Sequence, residues 1–328
     1  MAVCMIGLAG ALGILSCRRL YVKRENLLSA YEKELVSGIV CYGDSLTAGT
    51  GGEGVSYPLV LEENLKRDRI YIPVFNMGIG GETSITIAGR AGGIPFCTAS
   101  FTIPEETEKA EVHFIEEEGR KLNLLSQDGG VDTGINPCMI GGVEGCLSSE
   151  WHGDELVYYF TRSERGEEMQ IADGTAVKTW AEEQFRDYIY VVFIGQNMGF
   201  TDIQDLVRQQ RAIIGLQRKQ AEKYIVVGLT SGTKTEREEL ERAMQEEYGE
   251  KYINLREYLS SQGLDAAGIE PTKEDLVQME RGEVPSSLLT DQVHFNAEGY
   301  RLIGNLIYDR MEELGYFEEL QKAVEEYG

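Results

Sequence analysis

Ser45, Asp291 and His294 are the side chains of this 328-residue chain whose types and spacing suit covalent acyl chemistry. A serine hydroxyl is a weak nucleophile at neutral pH until a base within hydrogen-bond reach takes its proton and a third group orients that base. The chain has 3 histidines, His113, His152 and His294. Of these, His294 alone has a carboxylate spaced to steer its ring while leaving the other nitrogen free, namely Asp291 in Thr290-Asp291-Gln292-Val293-His294. The bland alternative is that Asp291 caps a terminal helix starting near Ala297 and that His294 is a polar loop residue.

The elements that must position these groups are legible around them. Gly43-Asp44-Ser45-Leu46 follows an apolar run, Gly38-Ile39-Val40-Cys41-Tyr42, that reads as a buried strand, and a helical pattern begins near Pro58. Ser45 is therefore expected at the carboxyl end of a strand, where open α/β sheets place their ligands. Further strands are expected over residues 71–75, 188–194 and 224–229 and at Tyr252-Ile253-Asn254-Leu255. Ile203, Leu206, Val207, Ile213 and Ile214 share one helix face, residues 235–248 form another helix, and Ile303, Leu306, Ile307, Met311 and Leu314 mark a terminal one. The alternation predicts one doubly wound parallel α/β sheet built from residues 38–94 and 181–328.

These residues resemble the SGNH hydrolases, also called the GDSL esterases and lipases. The likeness covers Gly43-Asp44-Ser45-Leu46, then Asn76-Met77-Gly78-Ile79-Gly80-Gly81-Glu82-Thr83, Gly195-Gln196-Asn197, and finally Asp291 to His294, each at a strand end or loop and in the family's order. The resemblance implies a flavodoxin-like fold and ester hydrolysis with no metal or other cofactor. It assigns the nucleophile to Ser45, the base to His294 and the orienting acid to Asp291. Its oxyanion-hole glycine falls on Gly81 and its asparagine on Asn197. Attack on a carbonyl puts negative charge on its oxygen, and the Ser45 and Gly81 N–H groups with the Asn197 amide would supply three preorganised donors. One position departs from the pattern: the family usually carries Asp after that asparagine, and here Met198 follows it, which bears on loop geometry more than on chemistry.

Composition narrows the partners. With 55 acidic against 31 basic residues the formal charge is −24, which repels phosphate backbones and argues against nucleic acid or a highly anionic substrate. Residues 1–16 are almost wholly apolar and are followed by Arg18, Arg19, Lys23 and Arg24, which reads as an anchor or export signal with residues 1–37 as anchor and connector. The expectation is a membrane-anchored or exported, extracytoplasmic enzyme; basic residues after the run favour the cytoplasmic face instead. Six cysteines form no metal pattern, and Cys138 and Cys146 bracket a glycine-rich loop where they could pair.

Residues 95–180 break the α/β rhythm. Short β-like runs there, Phe101-Thr102-Ile103, Glu111-Val112-His113-Phe114-Ile115, Leu122-Asn123-Leu124-Leu125 and Leu156-Val157-Tyr158-Tyr159-Phe160, predict a small, separately packed antiparallel insertion that shapes substrate access. Trp151, His152, Tyr158, Tyr159 and Trp180 could give it a sugar-stacking face, although aromatic residues in small β-domains more often form the core. A rival class rests on Gly49-Thr50-Gly51-Gly52-Glu53-Gly54, which matches a dinucleotide fingerprint. That reading also needs an acid at the end of the next strand, where Asn76 stands. The reading the sequence favours is a serine esterase that removes a short acyl group, acetyl first, from a small-molecule or glycan ester. A lipid esterase or lysophospholipase, a thioesterase, and a non-catalytic glycan-binding protein on the same fold are the alternatives.

Overall fold

A computed structural model describes residues 36–115, 134–220 and 222–327. The expected apolar anchor at 1–16 and the run at 122–125 lie outside the described residues.

The chain enters on β1 (Ile39–Gly43), turns through the one-turn helix α1 (Ser45–Ala48), and runs down α2 (Tyr57–Arg67). Ser56 caps α2 by accepting the Leu59 N–H, and a proline sits in its first turn, where a missing N–H costs nothing. Next comes β2 (Val74–Gly78) and then α3 (Ser84–Ala91), opened by a Thr83/Thr86 capping box. Pairing in β2 begins at Val74, later than the apolar run suggests, because Pro73 has no N–H to give; its carbonyl accepts from Ile39 instead.

The chain then leaves this sheet. Strands β3 (Cys97–Thr98), β4 (Phe101–Ile103), β5 (Lys109–Val112), β6 (Cys138–Ile140), β7 (Val143–His152), β8 (Glu155–Arg162), β9 (Met169–Ile171) and β10 (Thr175–Lys178) are antiparallel. Six of them form a sheet in the order β3-β10-β6-β7-β8-β5, and β4 pairs with β9. The chain returns through α4 (Trp180–Gln184), β11 (Ile189–Phe193), α5 (Ile203–Ile214), β12 (Tyr224–Val227), α6 (Lys234–Tyr248) and β13 (Tyr252–Ile253). An irregular helical stretch, α7 (Leu255–Tyr258) to α8 (Leu264–Ala266), precedes α9 (Lys273–Arg281), α10 (Ala297–Glu313) and α11 (Glu318–Tyr327).

β2, β1, β11, β12 and β13 make a parallel sheet in that spatial order. Its inner strands are buried on both faces, as a parallel sheet covered by helices requires. Ile39, Cys41, Val191 and Phe193 pack with Leu61, Ile303 and Ile307 from α2 and α10. Val40, Tyr42, Tyr190 and Val192 pack on the opposite side with α3, α5 and α6. The second cluster does not stop at the sheet: through Phe96, Ala181 and Phe185 it runs on into Val112, Ile140, Leu147 and Phe160 of the antiparallel strands. The β-rich unit therefore shares one continuous apolar core with the parallel sheet and is not separately packed as expected.

The aromatic face expected there is divided. Tyr158 is buried and Trp180 packs on the core, whereas Trp151 stays 64% exposed at the end of β7. Cys138 pairs in register with Gly145, so the side-chain alternation puts Cys146 on the other face of the sheet. Both thiols are free.

Candidate active site

The chemical groups converge at the carboxyl edge of the parallel sheet. β1 ends at Gly43, and Asp44 caps α1 by accepting the Leu46 N–H at 2.9 Å. That turn makes Ser45 the first helical residue, 7% exposed. As the first residue of a helix its N–H has no intrahelical partner, and no acceptor among the described residues takes it.

Residue 294 reaches the serine from the loop before α10. Leu289 and Phe295 pair across the base of that loop, and the Thr290 N–H donates to the His294 carbonyl at 2.8 Å. Asn296, not Asp291, caps α10 by accepting from the Gly299 N–H at 3.0 Å. Asp291 is thereby left to the histidine. Its Oδ1 accepts the Val293 and His294 N–H groups at 2.8 Å each, and its Oδ2 lies 2.8 Å from His294 Nδ1. The other ring nitrogen, Nε2, is 3.0 Å from Ser45 Oγ. The backbone N–H of His294, its ring and the Val293 N–H together hold the Asp291 carboxyl at about 2, well below the usual carboxylate range. The acid is charged wherever the base would work.

The two other expected residues flank this line. Gly81 lies in the loop after β2 with φ +77°, a left-handed conformation that favours glycine. A Cβ built on its neighbour Gly80 would lie 4.0 Å from Ser45 Cβ, so the loop runs beside Ser45. No acceptor among the described residues takes the Gly81 N–H. Asn197 follows β11, and its Nδ2 donates one hydrogen to the Glu82 carbonyl at 3.1 Å, which fixes the amide and leaves its second hydrogen to give. Met198 stands in the left-handed region with φ +63°, its side chain 59% exposed. Its N–H donates to Gly195 and its carbonyl accepts from Ser84, so the backbone itself holds the turn that an aspartate would otherwise occupy.

Two residues that sequence reasoning passed over support the loop. Arg90 on α3 donates to Glu82 Oε2 at 2.6 Å and to the Met77 carbonyl at 2.8 Å. The signal was present in Glu82 and Arg90, opposite charges inside an otherwise apolar and small stretch. Asp44 is a second buried acid: its Oδ2 has no hydrogen-bond partner, and burial, opposed by the Leu46 N–H and reinforced by nearby Glu82, pushes its carboxyl up to about 6.

The glycine-rich run at 49–54 has a local use. The Gly49 and Thr50 N–H groups go to the Ser45 carbonyl and that of Gly52 to Gly49, while the Thr50 and Gly51 carbonyls accept from Tyr300 and Thr290. The turn closes on itself and on the histidine loop, with little left for a phosphate. Among the described residues no cluster of His, Cys, Asp and Glu is placed to hold a metal ion, and no helix is long and apolar enough to cross a membrane. His113 and His152 are exposed and far along the chain in the antiparallel sheet, each beside a glutamate.

The chain matches no protein-family model and no curated protein.

Proposed function

We propose that this chain is a serine esterase of the SGNH type, hydrolysing a short-acyl ester, with an acetyl group on a carbohydrate as the leading substrate. The observation that carries the reading is the unbroken line from Asp291 Oδ2 through His294 to Ser45 Oγ, with contacts of 2.8 and 3.0 Å. The spatial strand order β2-β1-β11-β12-β13 is also that of flavodoxin-like doubly wound sheets, in keeping with the family's fold.

In the proposed reaction Ser45 Oγ bonds to the ester carbon while its proton passes to His294 Nε2. The negative oxygen is met by the Ser45 and Gly81 N–H groups and the Asn197 amide, of which a single donor is typically worth about 10²- to 10³-fold in turnover. The tetrahedral intermediate expels the alkoxide, which takes the proton from Nε2. Water then gives a proton to His294 Nε2 as its oxygen bonds to the acyl carbon, and the acyl–Oγ bond breaks to free the acid while Nε2 returns that proton to Ser45 Oγ. Asp291 keeps its charge throughout and holds Nδ1–H, so Nε2 is the lone-pair nitrogen at the start of each step.

A fluorophosphonate probe tests the assignment. The expected result is one covalent adduct at Ser45, absent in Ser45→Ala, with p-nitrophenyl acetate turned over faster than longer acyl esters. A folded protein that neither labels at Ser45 nor hydrolyses any ester of the series would refute it and favour a binding protein on this fold.

A further inference from the structure

A cleft of about 590 Å³ opens against the loop that carries His294, lined among others by Asp291 and Gln292, by Gln196 and Thr230 just past two strand ends, and by Glu274 and Glu283. We propose that this cleft binds the alcohol portion of the ester as an uncharged sugar, and that Glu274 and Glu283 exclude anionic alcohols. The inference rests on the esterase reading and adds to it where the sugar sits and that it is uncharged.

Position is the first argument. Asp291 lines the cleft and orients His294, and Gln196 lines it one residue before Asn197. A molecule seated there touches Asp291 and the chain neighbour of Asn197, on the histidine side of Ser45, while the cleft's volume is far more than an acetyl group fills and falls within the range of small-ligand sites.

The chemistry of the walls is the second. Gln196 is held through its Oε1 by the Thr230 N–H at 3.2 Å, and Gln278 through its Oε1 by the Ser286 N–H at 2.7 Å. Each amide keeps its NH₂ as a donor, and the carboxylates of Glu274 and Glu283 are acceptors only. A sugar hydroxyl, at once donor and acceptor, suits such a mixture. Among the described residues no lysine or arginine lines the cleft, so a phosphate or carboxylate would meet three like charges, Glu274, Glu283 and Asp291, and no counter-charge on its walls. Polar atoms make up only somewhat more of the lining than apolar ones; of the apolar side chains Val284 is 8% exposed, leaving Leu289 and Val293.

The wall is also fixed in place. Asp275 on α9 is fully buried and accepts from Thr272 and from the N–H and hydroxyl of Ser287, which ties α9 to the segment leading into the catalytic loop. Selectivity on this reading belongs to residues 274–293, and no described residue of the antiparallel strands lines the cleft.

Two measurements on the intact chain decide it. In the first, an acetylated neutral hexose is titrated into Ser45→Ala protein by calorimetry, with and without Ser231→Trp, which fills the cleft. Saturable binding that Ser231→Trp weakens at least tenfold supports the proposal even where turnover is absent, so the esterase reading can fail separately. No saturable binding, or binding that Ser231→Trp leaves intact, overturns it. In the second, kcat/KM is compared for the acetylated neutral hexose and the same ester bearing a phosphate or a uronic carboxylate. The neutral ester is expected to lead by about tenfold, and Glu274→Gln with Glu283→Gln to narrow that ratio several-fold, an effect that added salt also produces in the parent protein. A ratio near one, or one the paired variant does not move, overturns the proposal while p-nitrophenyl acetate turnover still reports a working esterase.

Discussion

Arg90 meets Glu82 at 2.6 Å with both side chains sealed from solvent, and the same guanidinium holds the carbonyl of Met77. The pair thus fastens both ends of the loop that carries Gly81. Because Glu82 also offers its backbone carbonyl to Asn197, one buried ion pair positions two of the three proposed oxyanion donors. Removing one partner of such a pair costs about 3 to 5 kcal/mol, whereas replacing both with apolar groups is often neutral. Arg90→Met alone should therefore lower both the Tm and kcat, and Glu82→Leu with Arg90→Met should recover most of the Tm. Turnover should stay depressed about 10- to 100-fold in the double variant, because an error of an ångström in a catalytic group is worth that much. Thermal melts and steady-state kinetics on the same samples check this; full recovery of kcat along with the Tm would assign the pair to stability only.

Asp291→Asn separates geometry from protonation. The amide oxygen of asparagine can keep the Val293 and His294 N–H bonds, but its NH₂ in place of Oδ2 turns His294 Nδ1 into an acceptor and puts the proton on Nε2, where it blocks proton uptake from Ser45. In a serine protease the same change costs about 10⁴-fold in kcat, and a loss of that order with little change in Tm is expected here. Ser45→Ala, His294→Ala and their combination should all be comparably inactive, since members of such a unit do not add. Because the Asp291 carboxyl is held down at about 2, the stability it lends is present above the ordinary carboxylate range near pH 4 and is lost only as pH falls toward 2. The acid limb of activity therefore cannot belong to this group, which a profile of kcat/KM in parent and Asp291→Asn proteins can check.

The parallel sheet was legible because Ile39, Val40 and Cys41, Tyr190, Val191 and Val192, and Tyr224, Ile225 and Val226 form apolar runs that only strands buried on both faces need. That frame put Ser45 at a strand end and Asp291 followed from its spacing to His294, whereas Gly81 and Asn197 came from the resemblance to the SGNH pattern. The antiparallel strands were harder. β7 carries Gly145, Ser148, Ser149 and Glu150 on a half-exposed sheet, so its apolar signal is diluted, and β6, β9 and β10 are only three or four residues long. Helix α9 was missed because its apolar residues Leu276 and Val277 face solvent, 56% and 47% exposed, while its buried anchor is the charged Asp275. No periodicity rule finds a helix that is docked by a carboxylate.

Asp44 makes folding stability depend on pH in the opposite sense from Asp291. Burial raises its carboxyl to about 6, so the folded state holds a proton that the unfolded chain releases near 4. The favourable balance is complete below pH 4 and is lost as pH rises through about 6, above which the protein carries an ionised group whose Oδ2 has no partner. A shift of that size corresponds to roughly 2 to 3 kcal/mol. Asp44→Asn keeps an oxygen for the Leu46 N–H and removes the charge, so its Tm should exceed the parent's at pH 8 and approach it at pH 4. Equal Tm differences at both values would place the shift elsewhere.

Gly51 and Gly54 share one backbone problem and differ in their surroundings, which makes them a paired test of how the nucleophile loop and the histidine loop are set against each other. Both have positive φ, +85° and +93°, where an alanine costs about 1 kcal/mol. A Cβ on Gly54 meets nothing within 4 Å, but one on Gly51 would come within 2.9 Å of the Phe295 carbonyl and 3.2 Å of His294 Cβ. Something in the histidine loop must then give by a few tenths of an ångström, at a site where Ser45 and Nε2 are already at hydrogen-bond distance. Gly54→Ala should lower the Tm and leave kcat near the parent value. Gly51→Ala should lower the Tm by at least as much and also reduce kcat by about tenfold; the same Cβ lies 3.2 Å from Thr290, which lines the cleft, so KM is expected to rise with it. Equal kcat values in the two variants would mean that contact between these loops does not set the serine–histidine geometry.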